Sequence, residues 1–536
     1  MEKRFLLAMI LSFLVLYAWS LSLPKNLKES PQKLSQILEN KEDREIKIAA
    51  SAPSEPSFLP ARLEEKITSA ESDKFRLEFS NLGGVLKNIS LKKFDVHFLF
   101  RDLIALTGEE HREFSLVSAA PEAVQYFYET KEQKITKIYS FPQDDYVLRA
   151  EIIAENKTND PQSLDIKTNG LIIDMSILDN KNGDQYDSHL KDRNLFEYSV
   201  YAPAKILRKD NAARFSVKDD KKEMTPISWI GFRDRYFCVL IKPNEETKGY
   251  AIESVSDKVL KMEIDSGHVS IPPKGNVQFS YQIFVGPQDY GLLKKYNMGF
   301  ENIMVFSRYA LLDGISKIIY HTIQFFHKII PSWGLCILLI SVLIYSLMYP
   351  MTLRGMQSMK KMQALQPKIA KLKEKYKDNP QKMNKETMEI YREHKINPLG
   401  GCLPFLLQMP VFVGLYQVLW RSVAFKGAKF LWIKDLSEPD RLFILPTNLP
   451  IIGNEINILP FIMAIAMFVQ QKISSKNTVA VDSAQQMQQK MMGTIFPVFL
   501  GFIFYKFASG LTLYFTMFYI FSTFTQWKMS KEKVAA

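Results

Sequence analysis

The chain has 536 residues, a formal net charge of +12, 47% hydrophobic residues and three cysteines. This length allows two or three domains, and Cys238 is the single cysteine before residue 300, which excludes a disulfide framework or cysteine metal site there. A surplus of basic residues fits a nucleic-acid partner, but in a membrane protein it marks cytoplasmic loops. The position of these residues along the chain decides between the two interpretations.

The sequence begins with an uncharged apolar stretch, Phe5 to Leu23, which follows Lys3 and Arg4. A cleaved signal peptide has similar flanks, but this stretch is long and no small-residue cleavage site follows it promptly. We predict an uncleaved transmembrane signal anchor over residues 1–23 and keep the cleaved signal peptide as the alternative. Residues 24–56 are rich in Lys, Glu, Ser and Pro, which predicts a linker.

Apolar residues alternate with polar ones in much of residues 57–300, for example in Phe75–Phe79, Tyr146–Ile153 and Val277–Phe284. Such runs, bounded by Gly, Asn and Pro, predict antiparallel strands in an all-β sandwich domain. Its scattered histidines lack metal-ligand spacing and are interpreted as surface or packing residues. They are His97, His111, His189 and His268.

Residues 301–330 carry apolar side chains at helical spacing, including Leu311, Ile315 and Ile319, with charged residues between them. This pattern predicts an amphipathic helix in the membrane interface. A helix packed on the β-domain is the alternative. We favour the interface because the segment continues directly into an apolar span at Pro331.

Further long apolar stretches follow. A hydrocarbon core about 30 Å thick needs roughly 20 helical residues. The predicted spans are Ile329–Leu353, Ile396–Trp420, Ile456–Gln471, Met491–Tyr505 and Phe507–Trp527. Together with the signal anchor they give an α-helical polytopic membrane protein with six transmembrane helices, a core over residues 331–527 and a short basic tail over residues 528–536.

Lysine and arginine residues set the predicted orientation. The loop from Met351 to Cys402 holds twelve basic and five acidic residues, and basic residues also flank the first and last spans. The positive-inside rule therefore places both termini and this loop in the cytoplasm. Residues 24–330 are then exported, which corresponds to the periplasmic side of a bacterial inner membrane.

The basic loop predicts a helical hairpin over residues 352–396. Its first helix has an apolar stripe opposite lysines, and Asn379 and Pro380 can begin a second helix near Pro380–Glu393. Methionines adapt to irregular apolar partners, although the two stripes could simply pack together. The lysines suit lipid phosphates, ribosomal RNA or a solvated face. The candidate binding residues are Met356, Met359, Met362, Met383 and Met388.

Several motifs are similar to those of a known family. They are Lys361-Met-Gln-Ala-Leu-Gln-Pro-Lys-Ile369, Asn397-Pro-Leu-Gly-Gly-Cys-Leu-Pro404, Gln408-Met-Pro410, Trp333-Gly334, Tyr349-Pro350, Ser509-Gly510 and Leu513-Tyr514. These residues closely resemble the YidC/Oxa/Alb family of membrane insertases over roughly residues 331–527. The placement of the exported domain resembles the periplasmic β-supersandwich of the Gram-negative YidC type.

The resemblance implies an inner-membrane insertase and chaperone that inserts the transmembrane helices of client proteins and helps them fold. It implies five core helices around a hydrophilic groove that opens to the cytoplasm and the lipid and is closed on the periplasmic side. Its implied partners are nascent membrane proteins, the Sec translocon and membrane lipids, with the ribosome and signal recognition machinery as further contacts, and no DNA. No cofactor is expected, in agreement with the absence of a G-x-x-x-x-G-K-[ST] run.

One feature departs from the family. Its members usually carry an arginine in the second span, four residues after a Ser or Thr. Here Ser341 matches the hydroxyl and Tyr345 takes the arginine position. Lys506, where the resemblance suggests a tryptophan, could supply a groove charge or reach the outer interface.

The candidate groove residues are Ser341, Tyr345, Gln408, Gln417, Thr494, Lys506, Tyr514 and Phe515. The resemblance matches Tyr514 and Phe515 to a site of substrate contact in the sixth span. The uncharged polar candidates could instead be hydrogen-bonding residues of helix packing.

Two other functional classes fit poorly. A transporter usually has ionisable residues near the bilayer midplane and internal repeats, and this sequence has almost none of the former and no evident repeat. A membrane-bound enzyme needs an acid–base or nucleophile set, and neither H-E-x-x-H nor G-x-S-x-G occurs. The sequence therefore favours an insertase over an enzyme.

Overall fold

The structure is a computed structural model. It describes residues 64–94, 96–106, 109, 112–174, 197–202, 205–211, 220–256, 259–307, 309–376, 379–394, 396, 403–449, 453–475 and 491–531. The predicted signal anchor and the whole of the predicted linker, residues 1–56, lie outside these residues.

The region up to Pro287 consists of strands. In chain order, β1 to β18 are Ile67–Glu71, Phe75–Ser80, Val85–Leu91, Val96–Leu103, Ala105–Leu106, Ser115–Ala120, Ala123–Glu129, Gln133–Ser140, Val147–Asn156, Gln162–Asp174, Glu197–Ala202, Lys205–Asn211, Lys221–Glu223, Trp229–Arg233, Phe237–Pro243, Gly249–Ser256, Val259–Ile271 and Asn276–Pro287. The three strands expected from alternation correspond to β2, β9 and β18, and these predictions are confirmed.

The strands form two antiparallel sheets. One has the order β1-β2-β3-β4-β10-β17-β16-β13, with β5 paired to β10, and the other has the order β12-β11-β14-β15-β18-β9-β8-β7-β6. Along β9, alternate side chains from Leu148 to Ala154 are buried, as expected of a strand with one face on a core. The rings of Phe79 and Tyr139, one from each sheet, lie 5.0 Å apart. The predicted β-sandwich domain is confirmed.

Helices dominate the rest of the chain. In chain order, α1 to α8 are Tyr290–Lys295, Ala310–Ile329, Trp333–Lys375, Pro380–Glu393, Leu403–Arg421, Leu459–Ser475, Phe496–Phe504 and Ser509–Lys531. Short 3₁₀ segments occupy Phe300–Ile303 and Val423–Phe425, and a π-helical turn at Met491–Ile495 precedes α7. Strands β19 and β20, Phe443–Leu449 and Gly453–Ile456, pair before α6.

Helix α2 has two apolar faces. On one face Ser316, Ile319 and Ile323 are buried, and this face packs on α5 beside Gly414. A Cβ at Gly414 would lie 3.0 Å from Ile315, so glycine lets the two helices approach closely. The other face exposes Leu311, Ile318, Phe325 and Ile329. Its insertion in a membrane interface remains a prediction.

Helix α3 runs without interruption through 43 residues, from Trp333 to Lys375. The second predicted span and the first helix of the predicted hairpin are therefore one helix, which contains Pro350 and Pro367. Helix α4 has the predicted bounds, with Pro380 in its first turn and the Asn379 side chain accepting a hydrogen bond from the Lys382 amide.

The helices of the core occupy the regions of the predicted spans. Among the described residues, Trp333–Met362 is the helical stretch that is both long and apolar enough to cross a bilayer, and Leu459–Ser474 and Gly493–Phe504 are shorter apolar stretches. The helical core is confirmed. The number of six membrane crossings remains a prediction, and its first crossing lies outside the described residues.

Candidate functional site: a polar stripe inside the helical core

Helix α8 carries buried hydroxyl side chains along its length, on more than one side of the helix. The buried members of this polar stripe are Ser509, Thr512, Thr516, Ser522 and Thr525. Some of their hydrogen bonds stay within the helix, such as the 2.8 Å bond from Thr516 Oγ1 to the Thr512 carbonyl. The stripe therefore places small uncharged polar groups in an otherwise apolar interior.

One hydrogen bond joins α8 to α3. The buried Tyr345 hydroxyl donates to Thr525 Oγ1 over 2.7 Å. The rings of Phe518 and Phe521 both lie 5.7 Å from the Tyr345 ring. At the position where the resemblance suggests an arginine, the structure thus has a neutral phenol within an aromatic cluster.

A second hydrogen bond joins α8 to α5. Gln408 Nε2 donates to the Tyr514 hydroxyl over 2.6 Å, and both side chains are buried. The adjacent Phe515 ring packs at 5.2 Å from Phe412 and 5.1 Å from Phe504. Three of the candidates from the sequence, Gln408, Tyr514 and Phe515, therefore meet where α5 and α8 approach each other.

The other candidates lie apart from these two pairs. Ser341 is buried, but its hydroxyl donates to the Leu338 carbonyl of its own helix at 2.6 Å. Gln417 accepts a 3.2 Å hydrogen bond from Arg421. Thr494 and Lys506 are exposed, the latter in the turn between α7 and α8.

Sequence reasoning missed polar residues near the end of α8. Besides Thr525, Ser522 accepts a 3.4 Å hydrogen bond from Gln470 of α6. The Gln526 Oε1 atom is buried and has no hydrogen-bond donor among the described residues. The recurrence of hydroxyl and amide side chains along Phe507–Trp527 was the available signal.

The ends of α6 and α7 that adjoin the β19–β20 hairpin are fixed by buried polar groups. Asp440 accepts hydrogen bonds from Trp432 Nε1 at 3.0 Å and from the amides of Ile458 and Leu459 at 2.9 and 3.1 Å. It thereby satisfies amides at the start of α6. Asn457 donates to the Tyr505 carbonyl at 2.8 Å, which joins α6 to the end of α7.

The β-domain contacts this same end of the core. Arg235 Nε donates to the Trp420 carbonyl at 2.7 Å, and its guanidinium also reaches the Ser437 carbonyl at 3.2 Å. The Ser509 amide donates to the Glu438 carbonyl at 2.7 Å. The end of α5 and the loop after it therefore contact the β-domain, and the start of α8 is hydrogen-bonded to the same loop.

A buried charge cluster strengthens this contact. Glu197 of β11 accepts hydrogen bonds from Arg233 of β14, and its second carboxylate oxygen lies 3.5 Å from the Arg421 guanidinium. Arg421 ends α5, so the cluster connects a strand of the sandwich with a helix of the core. Burial raises the pKa of the nearby Tyr236 phenol, which stays neutral beneath the Arg235 guanidinium.

The hairpin of α3 and α4 has a small apolar core of its own. Leu365, Ile369 and Ile396 are buried there, and Met362 packs against them. Met388 is 56% exposed, whereas Met356 and Met383 are half-buried. The side chain of Met359 lies outside the described part of the structure. Among the candidate methionines, Met362 therefore supports the hairpin, whereas Met388 exposes most of its side chain to a potential partner.

The polar stripe offers hydrogen bonds without ionised groups. The sequences of α3 up to Leu353, α6 up to Gln471 and α7 contain no Asp, Glu, Lys or Arg. Within the described parts of the chain, no cluster of His, Cys, Asp and Glu could hold a metal ion. The side chains of this interior can therefore form hydrogen bonds that replace those of water around a neutral polar group.

Comparison with known families covers most of the chain. The model of the family described as 60Kd inner membrane protein matches residues 325–536, and that of the YidC periplasmic domain matches residues 109–320. Both regions of the structure, the helical core and the sandwich, thus have a counterpart among known families.

Individual relatives match over nearly their whole length. The membrane protein insertase YidC of Pelobacter propionicus is 31% identical over 554 residues, covering 96% of each chain. The protein of the same name from Chlorobaculum tepidum is 31% identical, covering 92% of this chain and 87% of its own. A solved structure described as an active YidC insertase matches with 18% identity and a TM-score of 0.38, covering 86% of this chain and 92% of that one.

Proposed function

The chain belongs to the YidC family of membrane protein insertases, and from this membership we propose how it inserts its clients. It is an inner-membrane insertase whose substrates are membrane proteins, with a periplasmic-type β-sandwich domain and a helical core. The name of the family refers to the insertion of membrane proteins, and we propose no chemical reaction for the chain.

We infer that the polar stripe of α8 forms the inner wall of the insertion route. The observation that carries this proposal is the pair of buried hydrogen bonds, Tyr345 to Thr525 and Gln408 to Tyr514. A polar client segment in hydrocarbon loses several kcal/mol for each backbone group left without a partner. Neutral hydroxyl and amide groups can exchange their bonds for bonds with such a segment, which lowers this penalty.

The route is open to the cytoplasm and the lipid and closed on the periplasmic side. The Asp440 and Asn457 hydrogen bonds support the closure, because they tie the ends of α6 and α7 to the preceding loop. A client helix whose polar part rests on the stripe can move sideways into lipid. Burial of its apolar surface there stabilises the inserted state.

Six membrane crossings with both termini in the cytoplasm account for the arrangement of the loops. The contacts of Arg235 with the loop after α5 support this topology, because they bring that loop to the side of the β-domain. The α3–α4 hairpin then lies on the opposite, cytoplasmic side and receives clients there. We propose that the chain acts alone or with the Sec translocon, and that its basic hairpin also meets the ribosome and signal recognition machinery.

Site-specific photocrosslinking tests the insertion route. A photoreactive phenylalanine replaces Phe515, which faces α5 and α7, or Phe524, an exposed residue of the same helix. A ribosome-bound membrane protein should crosslink strongly at position 515 and weakly at position 524. Equal crosslinking at the two positions would show that clients do not distinguish the interior of the core from its lipid-facing side.

A further inference from the structure

The loop after α5 presents a leucine in an unfavourable backbone conformation. Leu431 has a φ of 51° and is 74% exposed. It lies at the tip of a tight turn in which the amide of Phe430 donates to the Ile433 carbonyl at 2.9 Å and the Ile433 amide donates back at 2.8 Å. Left-handed backbone is costly for a residue with a side chain, and an exposed leucine gains no burial within the protein to offset that cost.

The turn is held firmly at the end of the core. Phe430 packs so closely on Gly334, at the start of α3, that a Cβ there would lie 2.1 Å from its ring. On the other side of the tip, Trp432 donates to Asp440, the residue that satisfies the first amides of α6. Leu431 therefore projects from a fixed position.

A pair of exposed apolar side chains also lies on β19. Phe443 is 62% exposed and Ile444 is 66% exposed. Their strand is anchored at its base by the ion pair of Arg441 and Glu455, with 2.9 Å between Nε and Oε1. We refer to Leu431, Phe443 and Ile444 as the outer apolar tip.

The outer apolar tip continues the apolar surface of α6. Phe443 pairs with Ile456, and the chain then exposes Ile458 and Phe461 as it enters the helix. Helix α6 has 17 residues, which span about 25 Å at about 1.5 Å per residue. A hydrocarbon layer about 30 Å thick is longer than this helix, and the β19–β20 hairpin that carries Phe443 and Ile444 adjoins its first end.

Positively charged side chains lie beside this surface, where they could contact the phosphate groups of lipids. Lys429 and Lys434 are both exposed, on either side of the turn. Lysine side chains can place their aliphatic part along an apolar surface while the ammonium group meets a phosphate. Trp432 beside them is of the residue type enriched at membrane interfaces.

We propose that the outer apolar tip inserts into the outer leaflet of the membrane, with Lys429 and Lys434 at the level of anionic phospholipid headgroups. The proposal rests on the membrane placement proposed above. It explains why an exposed leucine stands at a strained position, because lipid buries the side chain that the protein leaves open.

Spin-label accessibility in vesicles tests this contact. In a variant whose Cys238, Cys336 and Cys402 are alanine, labels are attached at Leu431→Cys or Ile444→Cys. The references are Phe461→Cys on the exposed face of α6 and Glu132→Cys in an exposed turn of the β-domain. The vesicles contain phosphatidylethanolamine and phosphatidylglycerol, and collisions with oxygen and with a water-soluble nickel chelate are compared.

The ratio of oxygen to nickel collisions at Leu431 and Ile444 should rise severalfold above the Glu132 reference and approach the Phe461 reference. A ratio equal to that of Glu132 would overturn the proposal. Exclusion of both reagents would also overturn it and indicate a protein partner. A water-like ratio at Phe461 itself would instead contradict the membrane placement, which separates the two failures.

The lysines have their own test. Replacing phosphatidylglycerol by phosphatidylcholine should lower the ratio at Leu431 in the chain with both lysines and leave it unchanged in the Lys429→Gln, Lys434→Gln variant. An unchanged ratio in the chain with both lysines would show that anionic headgroups are not recognised.

Discussion

Tyr345 and Thr525 form a hydrogen bond between two helices whose surroundings are otherwise apolar. The phenol provides a donor without introducing a charge, which costs much less in a membrane interior than an ionised side chain does. The same logic applies to Gln408 and Tyr514. Both pairs place neutral polar groups in the interior of the core, one of them at the position where the family resemblance suggests an arginine.

The strength of the first pair can be measured with a double-mutant cycle of Tyr345→Phe and Thr525→Val. We expect a coupling energy of about 0.6 kcal/mol, typical of hydrogen bonds between membrane helices. The measurement is the free energy of unfolding in detergent micelles. Ser341→Ala provides the control, because the Ser341 hydroxyl bonds within its own helix and should show no coupling to Thr525.

Lys506 is expected to contribute little to insertion. It is exposed in the turn between α7 and α8, at the end of the core that meets the β-domain, where a lysine can reach water or headgroups. Lys506→Gln should therefore insert a client with an acidic translocated tail nearly as well as the parent chain at equal expression. A strong defect that adding Tyr345→Arg repairs would instead identify Lys506 as a relocated groove cation.

At this scale the sequence identified Tyr345, Gln408 and Tyr514 as polar candidates, but it could not pair them. Polar residues in an apolar helix indicate that a partner exists, whereas the partner depends on how the helices cross. Thr525 and Gln526 went unnoticed because hydroxyl and amide residues near a helix end are also common in solvent. Thr494 is a candidate of another kind, because it lies within a predicted span and its side chain is exposed, so its place in the groove remains a prediction.

The hairpin of α3 and α4 has methionines in two different surroundings. Met362 belongs to its apolar core, whereas Met388 is largely exposed on α4. This difference separates the two interpretations of the methionines, because a core methionine acts through stability and an exposed one through contact.

Met388→Ser should reduce client crosslinking to the hairpin while leaving the abundance of the insertase unchanged. Met362→Ser is the matched comparison, and it should lower hairpin stability, seen as faster proteolysis between Lys375 and Pro380. Site-specific crosslinking to a nascent client and immunoblotting of the membranes measure both effects. If Met388→Ser leaves crosslinking unchanged, its exposed side chain is not a client contact.

Element boundaries followed from the sequence where the pattern was local. Asn379 and Pro380 gave the start of α4 because capping depends on neighbouring residues alone. The continuity of α3 was not apparent, since the change from apolar to charged residues near Arg354 alters the surroundings of a helix and not its backbone. The β19–β20 hairpin was hidden in an apolar run that suits a strand or a helix equally well.

The whole molecule is joined by contacts that no local pattern reveals. Arg235 and Trp420 are 185 positions apart, yet they are hydrogen-bonded. Alternation predicted the sandwich and apolar runs predicted the helices, but the meeting of the two depends on the completed fold. The buried polar residues proposed to contact clients, on α3, α5 and α8, all follow Trp333 in the sequence. They therefore belong to a part of the chain separate from the sandwich.

Insertion should therefore survive deletion of residues 60–280, provided that α2 is kept from Phe306. The deletion also removes the strands that cover Arg421, so its guanidinium meets water in place of Glu197. Glu197→Gln in the full chain is the control, because it leaves Arg233 and Arg421 buried without their carboxylate partner. A buried charge left unpaired costs about 3–5 kcal/mol, so this variant should unfold at a lower temperature while preserving insertion. Complete loss of insertion by a stable, membrane-integrated deletion variant would contradict this prediction.

Topology can be tested with two exposed positions. A cysteine at Glu132 in the β-domain should react with an impermeant thiol reagent added outside intact inner membranes, whereas one at Lys375 should react only after permeabilisation. The reason is the asymmetry of the basic residues between the two regions. Comparable labelling of both positions before permeabilisation would reject the proposed orientation.

Because α3 is continuous, its second half extends from the core into the hairpin, and Pro350 is a position at which the helix can bend. Pro350 lacks the amide hydrogen that would complete the helical ladder, and helices bend most readily at such residues. From Pro350 to Lys375 the helix extends for about 37 Å, so a change of about 10° at Pro350 carries its far end through roughly 6 Å. Tyr345 lies on the other side of Pro350. The part of α3 beyond Pro350 can therefore change its direction while the Tyr345–Thr525 hydrogen bond keeps the core assembled.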